Sequence, residues 1–64
     1  MIRINGEELE LAEVSLKSYL EEEGYDVRRI AVECNGIIIP KSQFETVILH
    51  AGDVVEIVSF VGGG

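Results

Sequence analysis

Ile2 and Ile4 alternate with Arg3, and Leu9 and Leu11 alternate with Glu8 and Glu10, on either side of an Asn5-Gly6 pair. Period-two alternation is the pattern of a half-buried strand, and Asn-Gly between two such runs supplies the left-handed residues of a type I′ hairpin turn. A two-residue loop sets Ile4 opposite Glu7 and Ile2 opposite Leu9, which predicts a single apolar face of Ile2, Ile4, Leu9 and Leu11. The period then changes. Leu16, Tyr19, Leu20 and Glu23 stand at helical spacing, Ser15 is placed to cap the first turn, and Gly24 suits the left-handed position after the last. A short helix is expected over about 15–23, with Val14 ahead of the cap packing on Tyr19.

From Arg28 the chain returns to strand-forming residues, with Ile30, Val32 and Cys34 alternating with Arg29, Ala31 and Glu33. A second turn, Asn35-Gly36, leads into Ile37-Ile38-Ile39, and Pro40 ends the pairing because it has no N–H to donate. The segment from Lys41 to His50 has no clean period and reads as a loop with a short turn or strand around Thr46 to Leu49. After Ala51-Gly52-Asp53, the run to Phe60 sets Val55, Ile57 and Ser59 against Val54, Glu56, Val58 and Phe60. Strand, strand, helix, strand, strand, final strand is an α+β order in which one helix covers one face of a mixed sheet. One helix leaves the other face bare. Val58 and Phe60 are therefore expected on an uncovered apolar patch that docks a partner, unless the 41–49 segment folds over it.

The chain has 64 residues and 7.0 kDa, room for one small domain with a thin core. Five Lys and Arg against twelve Asp and Glu give a net charge of −7, which repels nucleic acid phosphates and anionic lipid alike. The lone Cys34 cannot form an internal disulfide, and Cys34 with His50 falls short of the four ligands of a structural zinc site. No apolar run has signal-peptide length, so a reducing cytoplasm is the expected home. Cys34, inside an expected strand, reads as a small hydrophobe, and His50 reads as an exposed loop residue. Paired catalytic groups are absent, so the chain is expected to act without being an enzyme.

Chemistry concentrates at the end, Val61-Gly62-Gly63-Gly64. Glycines that nothing follows neither cap a helix nor turn a hairpin. Four residues after a strand reach about 13 Å at full extension, and without Cβ atoms they pass through a narrow channel. The terminal carboxylate, with a usual pKa of about 3.5, is ionised at neutral pH and is a poor acyl acceptor until activated, most simply as an adenylate. The chain has no phosphate-cradling loop of its own, so activation falls to another protein.

These residues resemble a known family. Ile2 with Asn5-Gly6-Glu7, Ile30-Ala31-Val32-Glu33 followed by Asn35-Gly36, Ile39-Pro40-Lys41-Ser42 with Phe44, Gly52-Asp53 with Val55-Glu56-Ile57-Val58, and the closing glycines are similar to the ThiS sulfur carriers of thiamine thiazole biosynthesis. The resemblance implies a β-grasp, ubiquitin-like domain over 1–60 and a flexible tail over 61–64. It implies that a ThiF-like adenylyltransferase adenylates Gly64 with ATP and magnesium, neither bound by the chain alone. A persulfide from a cysteine desulfurase then yields a thiocarboxylate, whose sulfur goes to ThiG, the thiazole synthase. Gly62 and Gly63 would form the slim approach to the partner's active site. Two rivals share the diglycine: a molybdopterin-synthase small-subunit type carrier, whose usual Pro-Pro stretch is missing here, and a ubiquitin-like modifier of target lysines. A plain interaction domain with an inert tail is a third.

Overall fold

The structure, a computed structural model, describes residues 1–60. The expected tail with Gly62, Gly63 and Gly64 lies outside the described residues. Strands β1 (Ile2–Ile4) and β2 (Glu7–Leu9) form the first hairpin in the expected register, Ile2 opposite Leu9 and Ile4 opposite Glu7. Asn5 and Gly6 hold φ of 51° and 81°, the left-handed values that the type I′ turn requires. Leu11 departs from expectation: β2 stops at Leu9, the Leu11 N–H folds back onto the Leu9 carbonyl at 2.8 Å, and the side chain is 39% exposed.

A strand not expected from the sequence follows. β3 (Glu13–Ser15) leads directly into α1 (Leu16–Glu22) and pairs with β6 (Ile48–His50), the strand that the aperiodic 41–50 segment contains. Ser15 is the N-cap, accepting the Ser18 N–H at 3.3 Å, and Gly24 takes φ 78° after the last turn. Seven residues are too few for a helix to persist alone, so α1 depends on its fully buried Leu16 and Leu20. Val14 and Tyr19 are half-buried against the same core.

A 3₁₀ turn over Val27–Arg29 precedes β4 (Ile30–Cys34), which runs through Asn35-Gly36 into β5 (Ile37–Ile39). A second 3₁₀ turn spans Lys41–Gln43, and β7 (Val54–Ser59) ends the described chain. The main sheet has the order β2-β1-β7-β4-β5, with β1 and β7 parallel and its other pairs antiparallel; β3 and β6 form a separate two-stranded pair. This is the β-grasp arrangement, a mixed sheet with one helix against one face.

The core gathers Ile2, Ile4, Ile30, Val32, Val55 and Ile57 from the sheet, Leu16 and Leu20 from α1, and Phe44 and Leu49. The last two decide a question left open by the sequence. The 41–49 segment closes the helix side, where the Leu16 N–H also donates to the Val47 carbonyl at 3.1 Å, and leaves the opposite sheet face open.

The Asn5 side chain adds to its turn a long-range bond. Its Oδ1 accepts the Ile57 N–H at 2.7 Å while the Asn5 backbone N–H donates to the Val55 carbonyl at 2.9 Å, so the turn that ends β1 clamps the middle of β7. Asn5→Gly keeps the backbone conformation and loses the side-chain bond, at a cost of about 1 kcal/mol. Asn5→Ala adds left-handed strain and should cost about 2 kcal/mol in total. Urea unfolding of both variants checks the order; equal stability of the Gly variant and the parent would remove the clamp.

Candidate functional site

The candidate site is built on β7, because this strand is central in the sheet and leads into the C-terminal residues. It is anchored along its length. At its start, Asn35 repeats the role of Asn5: with φ 53° it forms the second turn, its Oδ1 accepts the Val54 N–H at 2.9 Å, and its amide donates to Asp53 Oδ1 at 3.0 Å. Asp53 Oδ2 accepts the His50 N–H at 2.8 Å, tying β6 to the same corner. At the other end, the Phe60 N–H donates to the Arg29 carbonyl at 2.7 Å, so pairing with β4 continues one residue beyond the strand.

Strand alternation then fixes what each face presents. Val55 and Ile57 point into the core, while Val54, Val58 and Phe60 are exposed on the side away from α1, Val58 at 56% and Phe60 at 57%. The expected docking residues thus stand on an open face. Register brings others beside them: Ala31 lies opposite Val58, and Glu33 lies opposite both Glu56 and Ile38, itself 62% exposed. Arg3, opposite Val54, pairs with Glu8 at 3.3 Å. The face is an apolar band of Ile38, Val54, Val58 and Phe60 interrupted by Glu33 and Glu56. Ile38 was hidden in the sequence inside an all-isoleucine strand, where no alternation separates the two faces.

The other candidates carry no chemistry of their own. Cys34 is half-buried on the core side, and burial, with Asp53 nearby, pushes its thiol above the ordinary value, away from thiolate reactivity. His50 is exposed, and its bond at the Asp53 corner is made by its backbone, not its imidazole. On the helix side, a cleft of about 400 Å³ is floored by Leu20 and Phe44 and edged by Lys17, Arg28 and Lys41. All three cations are engaged there: Lys17 on Glu45 at 2.9 Å, Arg28 on Asp26 at 3.2 Å, Lys41 on the Arg28 carbonyl at 2.9 Å. Among the described residues no three His, Cys, Asp or Glu side chains group to hold a metal, and no helix is long and apolar enough to cross a membrane.

Asp53 is the ionisable group that the site depends on. The His50 N–H, then the Asn35 amide, hold its carboxyl below the ordinary carboxylate value. A lowered folded pKa contributes stability above the unfolded value, about 3.9, and loses it as pH falls through the folded value. The stability lead of the parent over Asp53→Asn should therefore be level above about pH 5 and shrink below about pH 4, read from urea midpoints across pH. A lead that stays constant into strong acid would contradict it.

Comparison with known proteins agrees with this architecture. The ThiS family model matches residues 2–64. A thiazole synthase of Paramagnetospirillum magneticum is 47% identical over 62 residues; the match covers 95% of this chain but only 19% of that protein's length. Uncharacterized ycf40 proteins of Pyropia yezoensis and Porphyra purpurea are 36% and 38% identical, each match covering 98% of this chain and 90% of the relative. A crystal structure of the thiamine biosynthesis protein ThiS from Geobacter metallireducens superposes with a TM-score of 0.76 at 24% identity, covering 98% of this chain and 97% of that one. A solution structure of a thiamine biosynthesis protein from the same organism gives 0.74 at 25% identity, covering 98% and 86%. With the family's pattern matched from the first strand through the closing glycines, and with its fold in the described residues, the chain belongs to the ThiS family.

Proposed function

We propose that this chain is a sulfur carrier for thiazole formation in thiamine biosynthesis, working through the carboxylate of Gly64 and not as an enzyme itself. The observation that carries the reading is the family match, which runs end to end and includes the closing glycines. The similarity to a segment of a thiazole synthase supports a partnership with ThiG, since a carrier whose relative is part of the acceptor enzyme works beside that enzyme.

The chemistry follows from the carboxylate. A ThiF-like adenylyltransferase joins it to the α-phosphorus of ATP, with magnesium on the phosphates, and pyrophosphate leaves. The terminal sulfur of a persulfide, supplied by a cysteine desulfurase, displaces AMP to give an acyl disulfide, and a second thiol then attacks its cysteine sulfur, forming a disulfide there and releasing the thiocarboxylate. The sulfur then reaches thiazole synthase as a nucleophile held on a protein. The chain's own contribution is presentation. β7 is fixed by bonds on the β4 side from Val54 to Phe60 and on the β1 side from Asp53 to Ile57, and Gly62, Gly63 and Gly64 follow with no Cβ to obstruct a narrow entry. Val58 and Phe60, exposed beside that exit, serve as apolar anchors for the partner.

Incubation with a ThiF-like adenylyltransferase, ATP, magnesium and a persulfide donor should raise the intact mass by roughly 16 Da, sulfur for oxygen at Gly64. Phe60→Asp should fold normally and slow this conversion at least about tenfold, because it exchanges an exposed anchor for a charge. A mass that never changes with any such enzyme contradicts the carrier reading, and isopeptide-linked adducts in its place would favour a protein modifier.

A further inference from the structure

Among the described residues, three backbone groups of β7 have no partner strand just where it approaches the C-terminus. In an antiparallel pair, residues alternate between those whose N–H and C=O face the neighbouring strand and those that face away. The Asn35 N–H on the Val54 carbonyl at 2.8 Å and the Phe60 N–H on the Arg29 carbonyl at 2.7 Å fix the phase: Val54, Glu56, Val58 and Phe60 bond toward β4. Val55, Ile57 and Ser59 therefore turn their backbone groups toward β1. On that side the Arg3 N–H meets the Asp53 carbonyl at 3.0 Å and the Asn5 N–H the Val55 carbonyl at 2.9 Å. The last bond is the Ile57 N–H on the Asn5 side chain, and the chain then reverses at Asn5-Gly6 into β2, on the far side of β1. The Ile57 C=O and the Ser59 N–H and C=O come after β1 has ended. No strand pairs with them among the described residues, and Ser59 is exposed.

We propose that this acceptor, donor, acceptor edge seats an extended strand of the adenylyltransferase that activates Gly64, added beside β7 in line with β1. The inference rests on the carrier reading and names the contact that reading leaves open. The occupant follows from position and charge. The edge belongs to the strand that feeds the C-terminus, so whatever pairs with it is held in register with the residues to be threaded. Val58 and Phe60 stand on the neighbouring open face, so one partner covers both. Glu56, exposed on β7 just before Ile57, stands beside the gap in a chain of net charge −7, which selects a strand carrying Lys or Arg and disfavours a second copy of this chain. Three groups make too short an edge to recruit strands indiscriminately, so pairing succeeds only as part of the larger docking surface.

Among the described residues the Ser59 N–H has no bond to lose, and proline is tolerated where a strand N–H faces away from its ladder. Ser59→Pro should keep the thermal midpoint and weaken binding to the ThiF-like adenylyltransferase about tenfold, while Ser59→Ala binds like the parent. Amide hydrogen exchange on the unaltered chain avoids any dependence on the proline variant folding. The Ser59 amide should exchange fast in the free chain and slow at least about tenfold in the complex. A Ser59 amide that exchanges equally fast in a complex shown by mass to adenylate Gly64 overturns the added strand and leaves the carrier reading intact. Failure of Gly64 adenylation itself removes both.

Discussion

The parallel pairing of β1 with β7 joins the first strand of the chain to the strand nearest its C-terminus, and it is closed by one side chain. Asn5 ends β1, turns the hairpin and bonds Ile57 at 2.7 Å, while Asn35 does the corresponding work from the other hairpin at Val54. β7 is thereby central in the sheet, buried at Val55 and Ile57 on one face and bare at Val54, Val58 and Phe60 on the other. A small domain has one thin core, and here that core is spent on holding the strand from which the C-terminal residues depart. The helix, the β3–β6 pair and Phe44 all close the opposite side.

Both Asn-Gly hairpins, the register of the first and the helix cap were legible because each is set by neighbours in sequence: left-handed turn residues beside alternating residues, and a serine before a helical period. The bare face was legible in part, since the alternation from Val54 to Phe60 is unambiguous. β3 was not, because Glu13–Ser15 has one apolar residue and acquires strand geometry only through Ile48–His50, more than thirty residues away. Ile38 was hidden for a related reason, with isoleucine on both sides of it. The second roles of Asn5, Asn35 and Asp53 depend on where β7 passes, which local pattern does not contain. A resemblance to the ThiS family supplied what periodicity lacked, an expected role for the closing glycines.

Charge is distributed in keeping with a carrier that meets other proteins. The excess of carboxylates lies on the surface, on β2, on the exposed end of α1 and between the apolar residues of the open face. None of them is buried. Exposed pairs such as Arg3 with Glu8 and Lys17 with Glu45 add little to stability, on the order of 0–1 kcal/mol each. The net charge of −7 instead opposes self-association through the bare apolar band and favours surfaces of opposite sign. Specificity on this account comes from apolar and backbone groups around β7, and approach from the acidic surface.

The central claim is that the reacting atom is the C-terminal carbonyl carbon and that the folded domain only presents it. ATP–pyrophosphate exchange by the activating enzyme, measured with the free-acid chain and with a synthetic chain ending in an α-amide, tests this directly. The account predicts that both forms fold and compete for the enzyme equally, and that exchange occurs with the acid alone. Exchange supported by the amidated chain would contradict it.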